Sequence, residues 1–148
     1  MFDDVVLFEA WERVAFGGKR QLRPDGPPEN ACETVLKVFA SDGGPMRRVA
    51  DVAQEAGLSL ATVEHKIYAY KDCIRRCKDG YYQITPLGVE VVRWLTDGPP
   101  FAKEYEQGKV AVDELASRYR LSPATMYRRL VRARDNMRTP SASRTCPT

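Results

Sequence analysis

The stretch "LSLATVEHKI" at 58–67 returns, altered, as "LSPATMYRRL" at 121–130, sixty-three residues further along the chain. Each copy opens with Leu-Ser, and each follows a short apolar-periodic segment, "VADVAQEAG" before the first and "AVDELASRYR" before the second. The spacing predicts one local structure built twice. Leu58 and Leu121 lie in a tight turn and point inward, while Ser59 and Ser122 cap the helix that follows by accepting from its unpaired N–H groups. Ala53 and Ala116, five residues before those leucines, let two helices cross closely. Val63 with Ile67, and Met126 with Leu130, form the buried i, i+4 stripe of the second helix in each pair. Two helices set steeply across such a turn make a helix-turn-helix, whose second helix can enter a DNA major groove.

Working outward from the first copy, "PENACETVLKVFAS" predicts a helix with Ala31, Val35, Val38 and Phe39 on one face, stopped by "DGG". A short extended lead-in precedes "VADVAQEAG". After the repeat, Asp79-Gly80 lies between two β-prone runs and predicts a hairpin. "TPLGVEVVRWL" then predicts a helix with Thr85 as N-cap and Pro86 at its first position. "TDGPP" ends that helix, and three further helical segments follow, the last of them carrying the second copy. At the other end, Val5, Phe8, Trp11 and Ala15 recur at helical spacing, so these aromatics must be covered by the domain behind them or by a second subunit.

The expected class is mainly α: a winged helix-turn-helix with one small β-hairpin, plus a second three-helix helix-turn-helix unit. The expected organisation is an amphipathic helix at 1–17, a linker at 18–27, a first domain at 28–95, a linker at 96–100, a second domain at 101–138 and a disordered tail at 139–148. That tail, "TPSASRTCPT", has too little apolar content to pack.

Composition excludes several classes. The chain has 148 residues, 43% hydrophobic and 29% charged, and no apolar run approaches the roughly 18 residues of a membrane helix. Its acidic start is not that of a signal peptide, so a cytoplasmic, nucleoid-associated location with no membrane partner is expected. Cys32, Cys73, Cys77 and Cys146 with the lone His65 form no familiar zinc spacing, so free thiols and no metal or cofactor are expected. One histidine, no paired-carboxylate motif and no phosphate-binding glycine loop argue against an enzyme. Net charge is +3 but uneven: −3 over 1–45, +1 over 46–97 and +5 over 98–148, a local invitation to polyanions at one end.

Residues 28–95 resemble a bacterial winged helix-turn-helix, and "YYQITPLGVEVVRWL" is similar to the "Y-x-L-T-x-x-G" ending of many such regulators. "ADVAQEAGLSLATV" alone also resembles the headpiece of the LacI family, but the hairpin after it favours the winged form. Residues 101–138 resemble the trihelical units of resolvases and transposases, and "LSPATMYRRLVRARDNMR" is similar to region 4 of sigma factors. The second unit departs at one point: the turn position held by Gly57 is Arg120, and a left-handed backbone at a non-glycine costs about 1 kcal/mol, so a different turn is expected there.

Two sets of DNA-contacting residues follow. The second unit offers Ser122, Ala124, Thr125, Tyr127, Arg128 and Arg132 on its outer face, Arg129 and Arg134 at the flanks, and Arg118 and Arg120 near the turn. Arginine pairs bidentately with guanine, and arginines near the turn suit phosphate. The first unit is weaker: Ser59, Leu60, Ala61, Thr62, His65, Lys66 and Tyr68 carry little charge, and Glu64 repels phosphate. Its hairpin adds Arg76, Lys78 and Tyr81 if Cys77, Tyr82 and Ile84 turn inward.

The expected function is sequence-specific binding of double-stranded DNA by a small bacterial or phage transcriptional regulator. No effector domain is evident, so control is expected from abundance or a protein partner. The alternative is an adaptor that engages RNA polymerase or a recombinase. A monomer and a homodimer through the N-terminal helix both fit these residues.

Overall fold

A computed structural model describes the backbone of residues 3–18, 21–23 and 26–137, and the side chains of 3–18 and 29–134. The chain is mainly helical with a small three-stranded antiparallel sheet.

Helix α1 (Asp4–Ala15) is capped by Asp3, whose carboxylate accepts from the Val5 N–H at 3.2 Å. It buries Leu7, Phe8, Ala10, Trp11, Val14 and Ala15. Strands β1 (Gln21–Arg23) and β2 (Gly26–Glu29) pair as an antiparallel hairpin within the segment expected to be a linker. The described residues there are paired strands rather than a free tether.

Helix α2 (Ala31–Ala40) begins with a reciprocal cap: Asn30 Oδ1 accepts from the Glu33 N–H, and Glu33 Oε1 accepts from the Asn30 N–H, both at 2.8 Å. Then follow β3 (Arg47–Arg48), α3 (Val49–Ala56), α4 (Leu60–Ala69), β4 (Ile74–Arg76), β5 (Tyr81–Ile84) and α5 (Pro86–Asp97). The sheet order is β3-β5-β4. Asp79 and Gly80 both have positive φ, 59° and 77°, as the tight hairpin turn requires. Thr85 caps α5, with its Oγ1 accepting from Gly88 N at 3.1 Å. A Cβ on Gly88 would meet Ile84 Cγ1 at 2.6 Å, so only glycine lets α5 lie this close to the hairpin.

Helices α6 (Pro100–Glu106), α7 (Val112–Tyr119) and α8 (Pro123–Met137) complete the chain. The segment expected to be a linker, 96–100, spans the end of one helix and the start of the next. Helix α5 runs through Asp97, α6 starts at Pro100, and the intervening Gly98 and Pro99 are buried. An aromatic cluster crosses the joint. Phe8, Trp11, Trp94, Phe101 and Tyr119 meet in stacked, tilted or edge-on pairs at centroid distances of 4.4–6.0 Å. One core cluster therefore holds side chains from α1, α2, α5, α6, α7 and α8. The sequence left open what covers the α1 aromatics, and the answer is intramolecular: Trp11 is 0% and Phe8 1% exposed. The aromatic face of α1, through which a homodimer was one of two possibilities, is covered within the chain. The tail at 139–148 lies outside the described residues.

Candidate nucleic-acid interface

The repeated phrase folds the same way twice, bond for bond. After α3, the Leu58 N–H donates to Ala53 O at 3.0 Å; after α7, the Leu121 N–H donates to Ala116 O at 2.8 Å. Ser59 Oγ accepts from Thr62 N at 3.1 Å and donates to Thr62 Oγ1 at 2.8 Å. Ser122 Oγ accepts from Thr125 N at 3.2 Å and donates to Thr125 Oγ1 at 2.9 Å. Leu58 and Leu121 pack against the core, Ala53 and Ala116 are buried, and so are Val63, Ile67, Met126 and Leu130. Even the position expected to differ is shared: Gly57 sits at φ 69°, ψ 33° and Arg120 at φ 59°, ψ 44°. The turn keeps its shape, and Arg120 bears the strain.

The first exposed face lies on α4. Ser59, Leu60, Ala61, His65 and Tyr68 are exposed, Leu60 at 50% and Tyr68 at 70%; Thr62 and Lys66 are half-buried. Glu64 is exposed on the same helix. On the hairpin, Arg76 and Lys78 are exposed as expected, but Tyr81 is half-buried because the Arg48 guanidinium lies 4.9 Å from its ring centre. Ile84 is buried, while Cys77 and Tyr82 are half-buried.

The second face divides the expected arginines. Ser122, Ala124, Tyr127, Arg128 and Arg120 are exposed, with Tyr127 at 51%. Thr125 is half-buried, held by Ser122 and by Arg128, which donates to its Oγ1 at 3.3 Å. Arg129 and Arg132, expected outward or at the flank, are turned onto α1 instead. Arg129 Nε donates to the Glu12 carboxylate, and an Arg132 Nη donates to the Ala15 carbonyl. Both guanidinium groups lie over the Phe16 ring, 4.5 and 4.9 Å from its centre. The electrostatic reason is plain: Ala15 O, which also accepts from Asn30 Nδ2 at 3.3 Å, lies at the negative end of α1, and Glu12 adds a full charge beside it. Arg118 pairs with Glu104 at 3.3 Å, and Arg134 approaches Glu106 at 4.0 Å. What the second unit presents is therefore the first two turns of α8 and Arg120, not its whole arginine edge.

Sequence reasoning missed Glu12 and Phe16 as partners. A signal was present: at about 100° per residue, Arg129 falls beside the buried stripe of Met126, Leu130 and Ala133, where a neighbouring element must pass.

The same helix end ties down the first unit. Arg13 pairs with Asp72, and Tyr70 Oη donates to Arg13 O at 3.1 Å. The last turn of α1 thus touches the segments that follow α4 and the flank of α8. Burial pushes the Cys73 thiol up to about 12, so it stays a protonated core group. Among the described residues, no three His, Cys, Asp or Glu side chains are grouped to hold a metal, and no helix is long and apolar enough to cross a membrane. Compared with family models, with curated proteins and with solved structures, the chain matches none.

Proposed function

We propose that this chain binds double-stranded DNA through two helix-turn-helix units, a winged one spanning 28–95 and a trihelical one spanning 101–138, and regulates transcription in a bacterium or phage. One observation carries the reading. The same capped turn is built twice, and both times it leaves the start of the second helix exposed with small residues and hydroxyls; in the second unit the exposed Arg120 and Arg128 stand at its edge. Base edges are read by the first residues of such a helix, where side chains are short enough to let the backbone approach. Ala124 and Ser122 suit close approach, Arg128 reaches a guanine, and Arg120 meets a phosphate. Arg76 and Lys78 on the hairpin supply the matching phosphate contacts of the first unit. The protein acts by occupancy rather than catalysis.

Selection of bound sequences from a randomised duplex pool tests this. The full chain should enrich a defined site with an affinity of about 10⁻⁸ M or tighter, and Arg128→Ala should lose about 1–3 kcal/mol of discrimination at one position. Equal recovery of all sequences by both proteins would refute the reading.

A second reading has its own support. Leu60 and Tyr68 are large, exposed and beside Glu64 on α4, a surface better suited to protein than to phosphate. An adaptor using α4 would retain RNA polymerase or a recombinase after nuclease treatment, and Leu60→Ala would release it. Recovery of neither enzyme would remove this alternative.

A further inference from the structure

Between α4 and the hairpin lies a cleft of about 560 Å³, within the roughly 300–1,000 Å³ typical of small-molecule sites. Its floor is apolar: Ile67 and Ile74, nearly buried, with half-buried Val49 and Tyr82 beside them. Its rim is cationic. Lys71, Arg75 and Arg76 line it and are exposed, against a single carboxylate, Glu64. Among the described residues none of the three cations forms an ion pair; Lys71 lies 4.2 Å from the Tyr68 ring centre and Arg75 donates to Gln83 Oε1 at 3.0 Å.

We infer that this cleft binds a small amphipathic organic anion, an apolar body carrying one carboxylate or sulfonate, with the body on Ile67, Ile74 and Tyr82 and the charge between Lys71 and Arg76. Two arguments select this class. A phosphodiester backbone can use the cationic rim, but it has no apolar surface to displace water from the floor. A peptide helix or strand needs a groove that runs on, whereas this lining is confined to the last two turns of α4, Lys71, two hairpin strands and Val49. The charge then decides between neutral and anionic ligands, since three cations face one carboxylate. The cleft lies within residues 28–95, the unit proposed to be winged. Arg76 is also a proposed phosphate contact, so an occupant would compete with DNA. That consequence rests on the DNA reading, but the site does not.

The test uses the full chain and 1-anilinonaphthalene-8-sulfonate, a fluorescent aromatic sulfonate. The dye should bind saturably at one site, with amide shifts centred on Glu64, Lys71, Ile74 and Tyr82. Lys71→Glu and Arg76→Glu should each weaken it tenfold or more, while Lys109→Glu, an equal charge change on an exposed residue outside the cleft, should leave it unchanged. Absence of saturable binding, amide shifts elsewhere, or equal affinity in all three variants would overturn the site. Amide mapping on the unaltered chain decides the matter even if a variant fails to fold. A parallel titration with the selected duplex should raise the apparent dye dissociation constant. A chain that binds dye in the cleft but no DNA would refute the DNA reading and leave the cleft standing.

Discussion

The two capped turns share their hydrogen bonds yet differ in what surrounds them. In the first, glycine takes the left-handed position, and the helix beyond it presents an open face poor in charge, with Leu60, Tyr68 and Glu64 exposed. In the second, Arg120 takes the same position under strain, and two of the arginines on the helix beyond it are folded onto α1. The turn is thus fixed by Leu, Ser and the buried alanine, and it tolerates an arginine where glycine is easier. Charge on a helix is a different matter. Whether an arginine reads DNA or braces the fold depends on which element passes its flank, and that is set by packing some 117 residues away in sequence.

The comparison is broken most severely at the joint. Phe101→Ala removes a 1%-exposed ring that meets Phe8, Trp11, Trp94 and Tyr119, and should cost about 3–5 kcal/mol in denaturant unfolding. The two units should then unfold in separate steps; a single transition with little loss would mean that they are coupled elsewhere.

Glu12→Gln sharpens the contrast between bracing and reading. The pair with Arg129 is largely covered, at 24% and 21% side-chain exposure, so its loss should cost about 1–2 kcal/mol, between the values for exposed and buried pairs. Released from Glu12, Arg129 should add about one phosphate contact, steepening the salt dependence of DNA binding by about 0.9 in log–log slope. A stability loss with an unchanged slope would make Arg129 a brace alone.

The two serine caps provide a matched pair. Ser59→Ala and Ser122→Ala should each cost about 1 kcal/mol of thermal stability, and equally, because their bonds are alike. A difference above that size would show that the turns are not energetically equivalent. At the left-handed position the signs should oppose. Gly57→Ala meets no atom within 4 Å, so it should cost only the backbone strain, about 1 kcal/mol. Arg120→Gly should gain about 0.5 kcal/mol, the relief of strain being partly offset by a freer unfolded chain.

Much of this fold was legible locally. Ser59, Ser122 and Thr85 declared their caps, Asp79-Gly80 its hairpin turn, and the periodicity of Val63, Ile67, Met126 and Leu130 its buried faces. Each is a short-range consequence of backbone chemistry. Long-range packing was not legible. Gly98-Pro99 reads as a linker until Phe101 and Trp94 are seen to close over it with α1. Arg129 and Arg132 read as a reading edge until Glu12, Ala15 and Phe16 arrive beside them. The candidate site was half visible for the same reason: its exposed start at Ser122–Arg128 follows from the cap, while its covered flank follows from topology.

The account depends on both helix starts touching a duplex at once, and amide mapping of the full chain with its selected DNA tests that most directly. Signals from residues 59–65 and 120–128 should move together at one stoichiometry while those of α2 stay still. Movement of neither region, or perturbation only of residues distant from both turns, would contradict it.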